Sequence, residues 1–196
     1  MPELYIIAGC NGAGKTTASL TILPEVLNCW EFVNADSIAA GLSPLNPESV
    51  AFEAGRIMLQ RIRQLLSEKK DFAFETTLAT RSYVSLIKEA KQLGYRVTLL
   101  YFWLSSPEIA IQRVQKRVNQ GGHNIPVDVI KRRYKRGLNN FLNLYQNKCD
   151  QWMFSDNTNL VPLLIAKKNF NEDYTVFNQD KWRVILNLNE NGKDNK

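Results

Sequence analysis

Residues 9 to 16 read GCNGAGKT and follow directly on the apolar run LYIIA at residues 4 to 8. Glycine, four residues, then Gly-Lys-Ser/Thr is the spacing of a phosphate-binding P-loop, and it demands a strand before it and a helix after it. Glycines at 9, 12 and 14 free the backbone for turn conformations that a Cβ obstructs, so that successive N–H groups can converge on one anion. A helix opening near Gly14 would turn its positive end to the same anion. Gly9, Asn11, Gly12, Ala13 and Gly14, with Lys15, Thr16 and Thr17, are therefore the expected contacts to the phosphates of a nucleoside triphosphate. Lys15 supplies charge toward the β- and γ-phosphates, and the Thr16 hydroxyl is placed to ligate Mg²⁺. A glycine-rich turn without a ligand would not need Lys-Thr immediately after its last glycine.

The rest of the chain alternates between strand-like and helix-like patterns. Strand 4 to 8 leads through the P-loop to a helix of about residues 15 to 22, which Pro24 is expected to end. A short strand near EFVNAD follows. Asn46-Pro47 reads as a cap followed by proline at the first helical position, and Val50, Ala54, Ile57, Met58, Ile62 and Leu65 recur at the helical period. FAFE at 72 to 75 is a compact strand, and Tyr83, Leu86, Ile87 and Ala90 mark a helix stopped by Gly94. Residues 95 to 104 form the most hydrophobic strand, as expected at the centre of a sheet covered on both faces. Ser106-Pro107 opens a further helix to about Val118, and the NQGGHNIP stretch separates it from one ending near residue 147. The tail runs QWMF, LLIAKK, DYTVF and WRVIL, divided by polar turns, predict hairpins and an antiparallel extension over about 161 to 188. The expected fold is a single α/β domain over 1 to 196, of P-loop NTPase type, with a mostly parallel sheet flanked by helices.

With 196 residues, 44% of them hydrophobic, the chain has material for one buried core. No run approaches the roughly 20 apolar residues of a membrane span, and the early first strand leaves no room for a secretory signal. Three cysteines without pairing or metal spacing favour a reducing cytoplasm. The net charge of +6 is concentrated: eight Lys or Arg lie between Arg113 and Arg136, opposed only by Asp128. Such a cluster implies an anionic partner, either phosphates in a site or a nucleic acid on a surface.

In parallel α/β sheets ligands bind beyond the carboxyl ends of the strands, and two acids fall there. Asp36 follows EFVNA and is the candidate base that orients and deprotonates an attacking hydroxyl; it could equally cap the short helix through Ser37 and Ile38. Glu75 closes FAFE and could act on Mg²⁺ through water, contact substrate hydroxyls, or pair with Arg81. No strand ends in the apolar-run-plus-Asp-Glu pattern of a motor ATPase, which points to a small kinase. Arg113 and Arg117 are four apart on one helix face, and Arg133 lies at the edge of the next helix's apolar stripe, with Arg132 and Arg136 further toward solvent. These two helices and the turn carrying His123, over about 113 to 137, have the make-up of a lid that brings cations to a nucleotide. Arg117 and Arg133 are candidates to stabilise a transferred phosphoryl group, and Arg113 and His123 to contact phosphates.

GCNGAGKTT, FVNADSIA, FAFETTLATR and RVNQGGHNIPVDVIKRRYKR, in this order, resemble the zeta-toxin family of P-loop kinases over about residues 4 to 160. The resemblance implies a shikimate- or adenylate-kinase-like fold, ATP and Mg²⁺, and phosphorylation of the 3′-hydroxyl of UDP-N-acetylglucosamine, with an antitoxin as protein partner. On it, Lys15 and Thr16 match the P-loop pair, Asp36 (with Ser37 beside it) the catalytic acid, and Glu75 and Thr77 the Glu-x-Thr at the sugar-nucleotide site, with Arg81 nearby. The family's two arginines over the phosphate fall at Arg117 or Arg113 and in the GGH turn, where this chain has His123. A neutral His does not replace Arg, so the pattern departs there.

Two other readings stay open from residues alone. The basic cluster could track a phosphate backbone in a polynucleotide or RNA kinase, although no aromatic platform is interleaved with it. A nucleotide-dependent toxin-antitoxin module with negligible turnover is the other.

Overall fold

Strand β1 (Glu3–Gly9) is the middle of the five parallel strands, which is why LYIIA is apolar at every position rather than at alternate ones. It pairs in parallel with β3 (Phe72–Thr76) on one side and β4 (Arg96–Trp103) on the other. β2 (Glu31–Val33) adds beyond β3 and β5 (Gln151–Asp156) beyond β4, again in parallel. β6 (Leu163–Lys168) and β7 (Tyr174–Val176) complete the sheet in antiparallel fashion, giving the order β2-β3-β1-β4-β5-β6-β7. The computed structural model describes residues 1–122 and 124–190.

Because the first five strands are parallel, their carboxyl ends share one edge. Helix α1 (Lys15–Thr21) leaves the P-loop there, and α2 (Ala35–Leu42), α3 (Ala51–Ser67) and α4 (Tyr83–Gln92) make the next crossovers. Helix α1 stops at Thr21, close to the expected boundary, but Pro24 does not end the helical run. The chain widens into a π turn over Ile22–Val26, where Leu27 N–H reaches the Ile22 carbonyl at 3.0 Å, and this wider spacing accommodates proline's missing donor. Pro47 does open a helical segment, first as a 3₁₀ turn over Pro47–Val50, but the Asn46 side chain makes no capping bond. Ser106 caps α5 (Pro107–Asn119) by accepting from Ile109 N–H at 3.4 Å.

Helix α6 (Val127–Asn140) is fixed to the core over the ends of β3 and β4. The Tyr134 hydroxyl donates to the Leu104 carbonyl at 2.7 Å and Asn140 to the Leu78 carbonyl at 2.8 Å. Gly137 permits that approach: a Cβ there would lie 2.5 Å from the Thr77 carbonyl oxygen.

The tail differs from its expected run of hairpins in two places. QWMF is β5, the fifth parallel strand, and WRVIL lies within α7 (Gln179–Glu190). The buried Trp182 and Ile185 are three apart, and the Asn178 side chain accepts from Lys181 N–H at 3.0 Å to start that helix. Trp182 stacks on Trp152 of β5 with ring centroids 6.2 Å apart. LLIAKK and DYTVF do form the antiparallel pair β6–β7. No helix among the described residues is long and apolar enough to cross a membrane.

Candidate functional site

The P-loop backbone needs its glycines. Gly9 has φ of 145°, and a Cβ there would meet the Phe102 carbonyl oxygen at 2.3 Å, so only glycine lets β1 end in register with β4. Gly14 is left-handed, with φ of 80°, and opens α1. Lys15 is 6% exposed; its ammonium donates to the Cys10 carbonyl at 3.0 Å and faces Glu75 at 3.4 Å. Cys10 is buried beside it, and burial pushes its thiol up to about 11 despite the nearby cation. It is therefore protonated at neutral pH and a poor redox sensor.

Glu75 stands opposite Ile7 in the β1–β3 register, which brings its carboxylate to the first turn of α1. The Thr16 hydroxyl donates to it at 2.7 Å and the Asn34 amide at 2.9 Å. Lys15, Thr16 and Asn34 thus hold the carboxylate, and of the alternatives for Glu75 the pairing with Arg81 is not the one formed. Arg81 and Ser37 are exposed and neither is among the described residues lining the cavities below. The Asn34 oxygen accepts from the N–H groups of Asp36 at 2.8 Å and Ser37 at 3.3 Å, so Asn34 rather than Asp36 caps α2. That frees the Asp36 carboxylate from the capping role.

A cavity of about 380 Å³ opens beside these groups. Asn11 and Lys15 line it from the P-loop, Asp36 from the start of α2, Glu75 and Thr77 from the end of β3, and Arg132, Arg133 and Arg136 from α6. Arg133 donates to the Asn11 side-chain oxygen at 3.2 Å. Burial lowers the pKa of Arg133, and the Asp36 carboxylate works against that shift. A second cavity, about 420 Å³, shares Ala35 and Asp36 with the first and runs between α2, the start of α3 and Gly121, Gly122 and Asn124. Asp36 stands where the two meet.

The remaining expected cations are placed differently. Arg113 reaches the carbonyls of Gly12 at 3.3 Å and Thr158 at 2.8 Å, bracing the P-loop from outside the cavity. Arg117 is exposed on α5 near Gly122 and is not among the described residues lining either cavity. Thr17 is exposed on α1, and His123 lies outside the described residues. Sequence reasoning missed Asn34, Asn157 and Thr158 and placed Arg132 and Arg136 toward solvent. The two arginines are indeed exposed, yet they form the cavity's rim. Asn34 had a readable signal, since an Asn between a strand and a helix is a capping residue.

A parallel β2-β3-β1-β4-β5 core with a P-loop after its central strand, and acids after the two strands on one side, defines a kinase-like P-loop fold. Residues 4–142 match the family described as AAA domain, and the chain belongs to that family. The matched span covers most of the segment that resembles the zeta toxins, a family the match does not name. A protein of Haemophilus influenzae described as uncharacterized is 32% identical over 126 residues, covering 64% of this chain and 88% of its relative. Among solved structures, the AvrRxo1-ORF1:-ORF2 crystal structure with ATP superposes with a TM-score of 0.77 at 17% identity, covering 94% of this chain and 63% of that one. This chain therefore spans less than two thirds of that protein's length. A structure from the PezAT chromosomal toxin-antitoxin system of Streptococcus pneumoniae gives 0.63 at 16% identity, covering 99% and 86%. A gluconokinase from Sinorhizobium meliloti gives 0.52 at 14% identity, covering 81% and 83%. At these identities the likeness is one of fold.

Proposed function

We propose that the protein is an ATP-dependent kinase that transfers the γ-phosphate to a hydroxyl of a small molecule, with a sugar nucleotide such as UDP-N-acetylglucosamine as the acceptor. The observation that carries this reading is the first cavity, in which the P-loop lysine, the Asp36 carboxylate and three α6 arginines face one space. Asp36 accepts the acceptor's hydroxyl proton while that oxygen attacks the γ-phosphorus and the bond to the bridging oxygen of ADP breaks. Lys15 and Arg133 face the charge that spreads over the transferred oxygens. Thr77 contributes a hydroxyl to the acceptor's side of the cavity.

The residues present suit Mg²⁺, which usually takes one or two carboxylates and completes its shell with substrate phosphates and water. Thr16 and Glu75, 2.7 Å apart, would hold it. When bound, the ion neutralises phosphate charge. Of the two arginines expected over the transferred phosphate, Arg133 is the one that lines the cavity, and it donates to Asn11 of the P-loop. Arg113 braces the nucleotide loop. The sugar-nucleotide assignment rests on the zeta-toxin resemblance, as does an antitoxin partner; the PezAT likeness in fold supports the second. The uneven basic charge is compatible with this reading, because three of the eight cations clustered on α5 and α6 line the cavity.

Incubation with labelled ATP, Mg²⁺ and a panel of sugar nucleotides tests the proposal. A phosphorylated product is expected from one of them, and Asp36→Asn is expected to slow transfer by roughly 10²- to 10⁴-fold. Transfer by Asp36→Asn at the wild-type rate would remove Asp36 as the base. ATP binding without product from any acceptor in a metabolite extract would favour a binding module.

A further inference from the structure

Lys181 lies on α7, far along the chain from the P-loop, yet a continuous set of polar contacts joins them. Its ammonium meets the carboxylate of Asp156, the last residue of β5, which is 2% exposed. The other oxygen of that carboxylate accepts from the backbone N–H of Thr158 at 2.9 Å and from the Thr158 hydroxyl. The same hydroxyl oxygen accepts from Ser105 N–H at 2.9 Å, and the Thr158 carbonyl accepts from Arg113 at 2.8 Å. Arg113 then reaches the Gly12 carbonyl. Asn157, between them, is fixed by its N–H on the Trp103 carbonyl at 2.8 Å, and its side-chain amide donates to the Ala13 carbonyl. The amide nitrogen occupies the space beside Gly14, 2.7 Å from where a Cβ would stand.

These contacts act on two consecutive peptide planes of the P-loop. In a planar trans peptide the carbonyl and the following N–H point in opposite directions. Holding the Ala13 carbonyl on the Asn157 side therefore turns the Gly14 N–H to the other side, toward the loop's interior, where a phosphate is received. A buried carboxylate keeps such a position only while it is paired. Without Lys181, Asp156 has lost the cation that matches it.

We infer that Lys181 and Asp156 are positioning residues for nucleotide binding, acting through Thr158, Asn157 and Arg113 on the Gly12 and Ala13 carbonyls. Helix α7 thereby contributes to the nucleotide site through Asp156 and the residues that follow β5. This rests on the reading of the P-loop as a nucleotide site, and it does not depend on which acceptor is used.

The test is binding of a fluorescent ATP analogue with Mg²⁺ to the full chain, with folding checked by circular dichroism. Lys181→Met is expected to weaken binding roughly fivefold to tenfold, the scale of a coupling between distant groups. Lys181→Arg, which restores the charge, is expected to recover it to within about twofold, and Lys181→Met added to Asn157→Ala is expected to weaken binding less than the two effects combined. A purely structural role would lower the melting temperature and leave the dissociation constant unmoved. Folded Lys181→Met binding within about twofold of wild type, or full additivity with Asn157→Ala, would overturn the inference. Wild-type protein that fails to bind the analogue would instead overturn the P-loop reading, and the positioning role with it.

Discussion

The Thr16 hydroxyl and the Glu75 carboxylate meet at 2.7 Å, joining the first turn of α1 to the end of β3. Asn34 donates to the same carboxylate oxygen from the end of β2, so two strand ends and the start of α1 meet at one acceptor atom. Glu75 also faces Lys15 at 3.4 Å. Glu75→Gln keeps the shape and removes the charge, leaving the Lys15 ammonium without its ion-pair partner and Thr16 without a full acceptor. Turnover is expected to fall at least about a hundredfold, with a higher Mg²⁺ requirement, as befits a charge-assisted contact in a phosphoryl-transfer site. Initial rates measured against Mg²⁺ concentration check this; an unchanged Mg²⁺ dependence would detach Glu75 from the metal.

At Gly137 the backbone of α6 comes close against the loop after β3, whereas Gly55 in α3 has nothing within 4 Å of a built Cβ. Gly137→Ala forces a methyl against the Thr77 carbonyl, an overpacking that costs about 1–3 kcal/mol and displaces the helix carrying Arg132, Arg133 and Arg136. Gly55→Ala only removes unfolded-chain freedom in a helix interior, a gain of about 0.4–1 kcal/mol. Thermal melts should therefore move in opposite directions, by roughly 2–4 °C per kcal/mol at this chain length. Phosphate transfer should fall only in Gly137→Ala.

Arg133 is partly buried and donates to Asn11 inside the P-loop. Its planar fork can hold Asn11 and a phosphate oxygen at once, which a lysine ammonium of different reach does not reproduce. Arg133→Lys is expected to lower kcat/KM by about tenfold or more, and Arg117→Lys to change it by less than about threefold. Steady-state kinetics on the two variants would reverse the assignment if Arg117→Lys proved the more damaged.

The P-loop could be read from residues alone because its geometry depends on glycines and on a Lys-Thr pair, which are visible one by one. Asp36 and Glu75 could be placed because they end apolar runs, and the carboxyl ends of parallel strands share an edge. Partnerships across that edge were not visible. Nothing local in FAFE says that Glu75 faces Lys15 and Thr16 rather than Arg81; the β1–β3 register decides it. QWMF looked like a hairpin strand because strand direction leaves no local mark, and it became β5 because α5 and α6 return the chain to the same end of the sheet. WRVIL carried a helical signal that its β-branched residues obscured: Asn178 as cap, Asp180 in the first turn, then Trp182 and Ile185 three apart. The cavity rim was missed for a different reason. Arg132 and Arg136 are solvent-facing by periodicity, and only the docking of α6 over β3 turns that solvent into a cavity.

Asp156 gives the site a pH dependence whose sign can be worked out. Burial disfavours its charge, but Lys181 and the two Thr158 donors outweigh that and hold its carboxyl below the usual carboxylate range. A carboxyl depressed in the folded chain contributes stability that is fully present above its unfolded value of about 3.9 and is lost as pH falls through the lower folded value. Lys181→Met removes the largest of the favourable contacts and leaves burial to act, which raises the folded value. The melting temperature of Lys181→Met should therefore lie furthest below wild type at neutral pH. The gap should narrow as pH falls through the variant's raised folded value and close only below the depressed wild-type value, where Asp156 is neutral in both chains and no longer needs a cation. Melting temperatures of the two proteins taken from pH 7 down to acid unfolding check this. A gap that stayed constant with pH would mean that Lys181 stabilises α7 by packing alone, without the charge of Asp156.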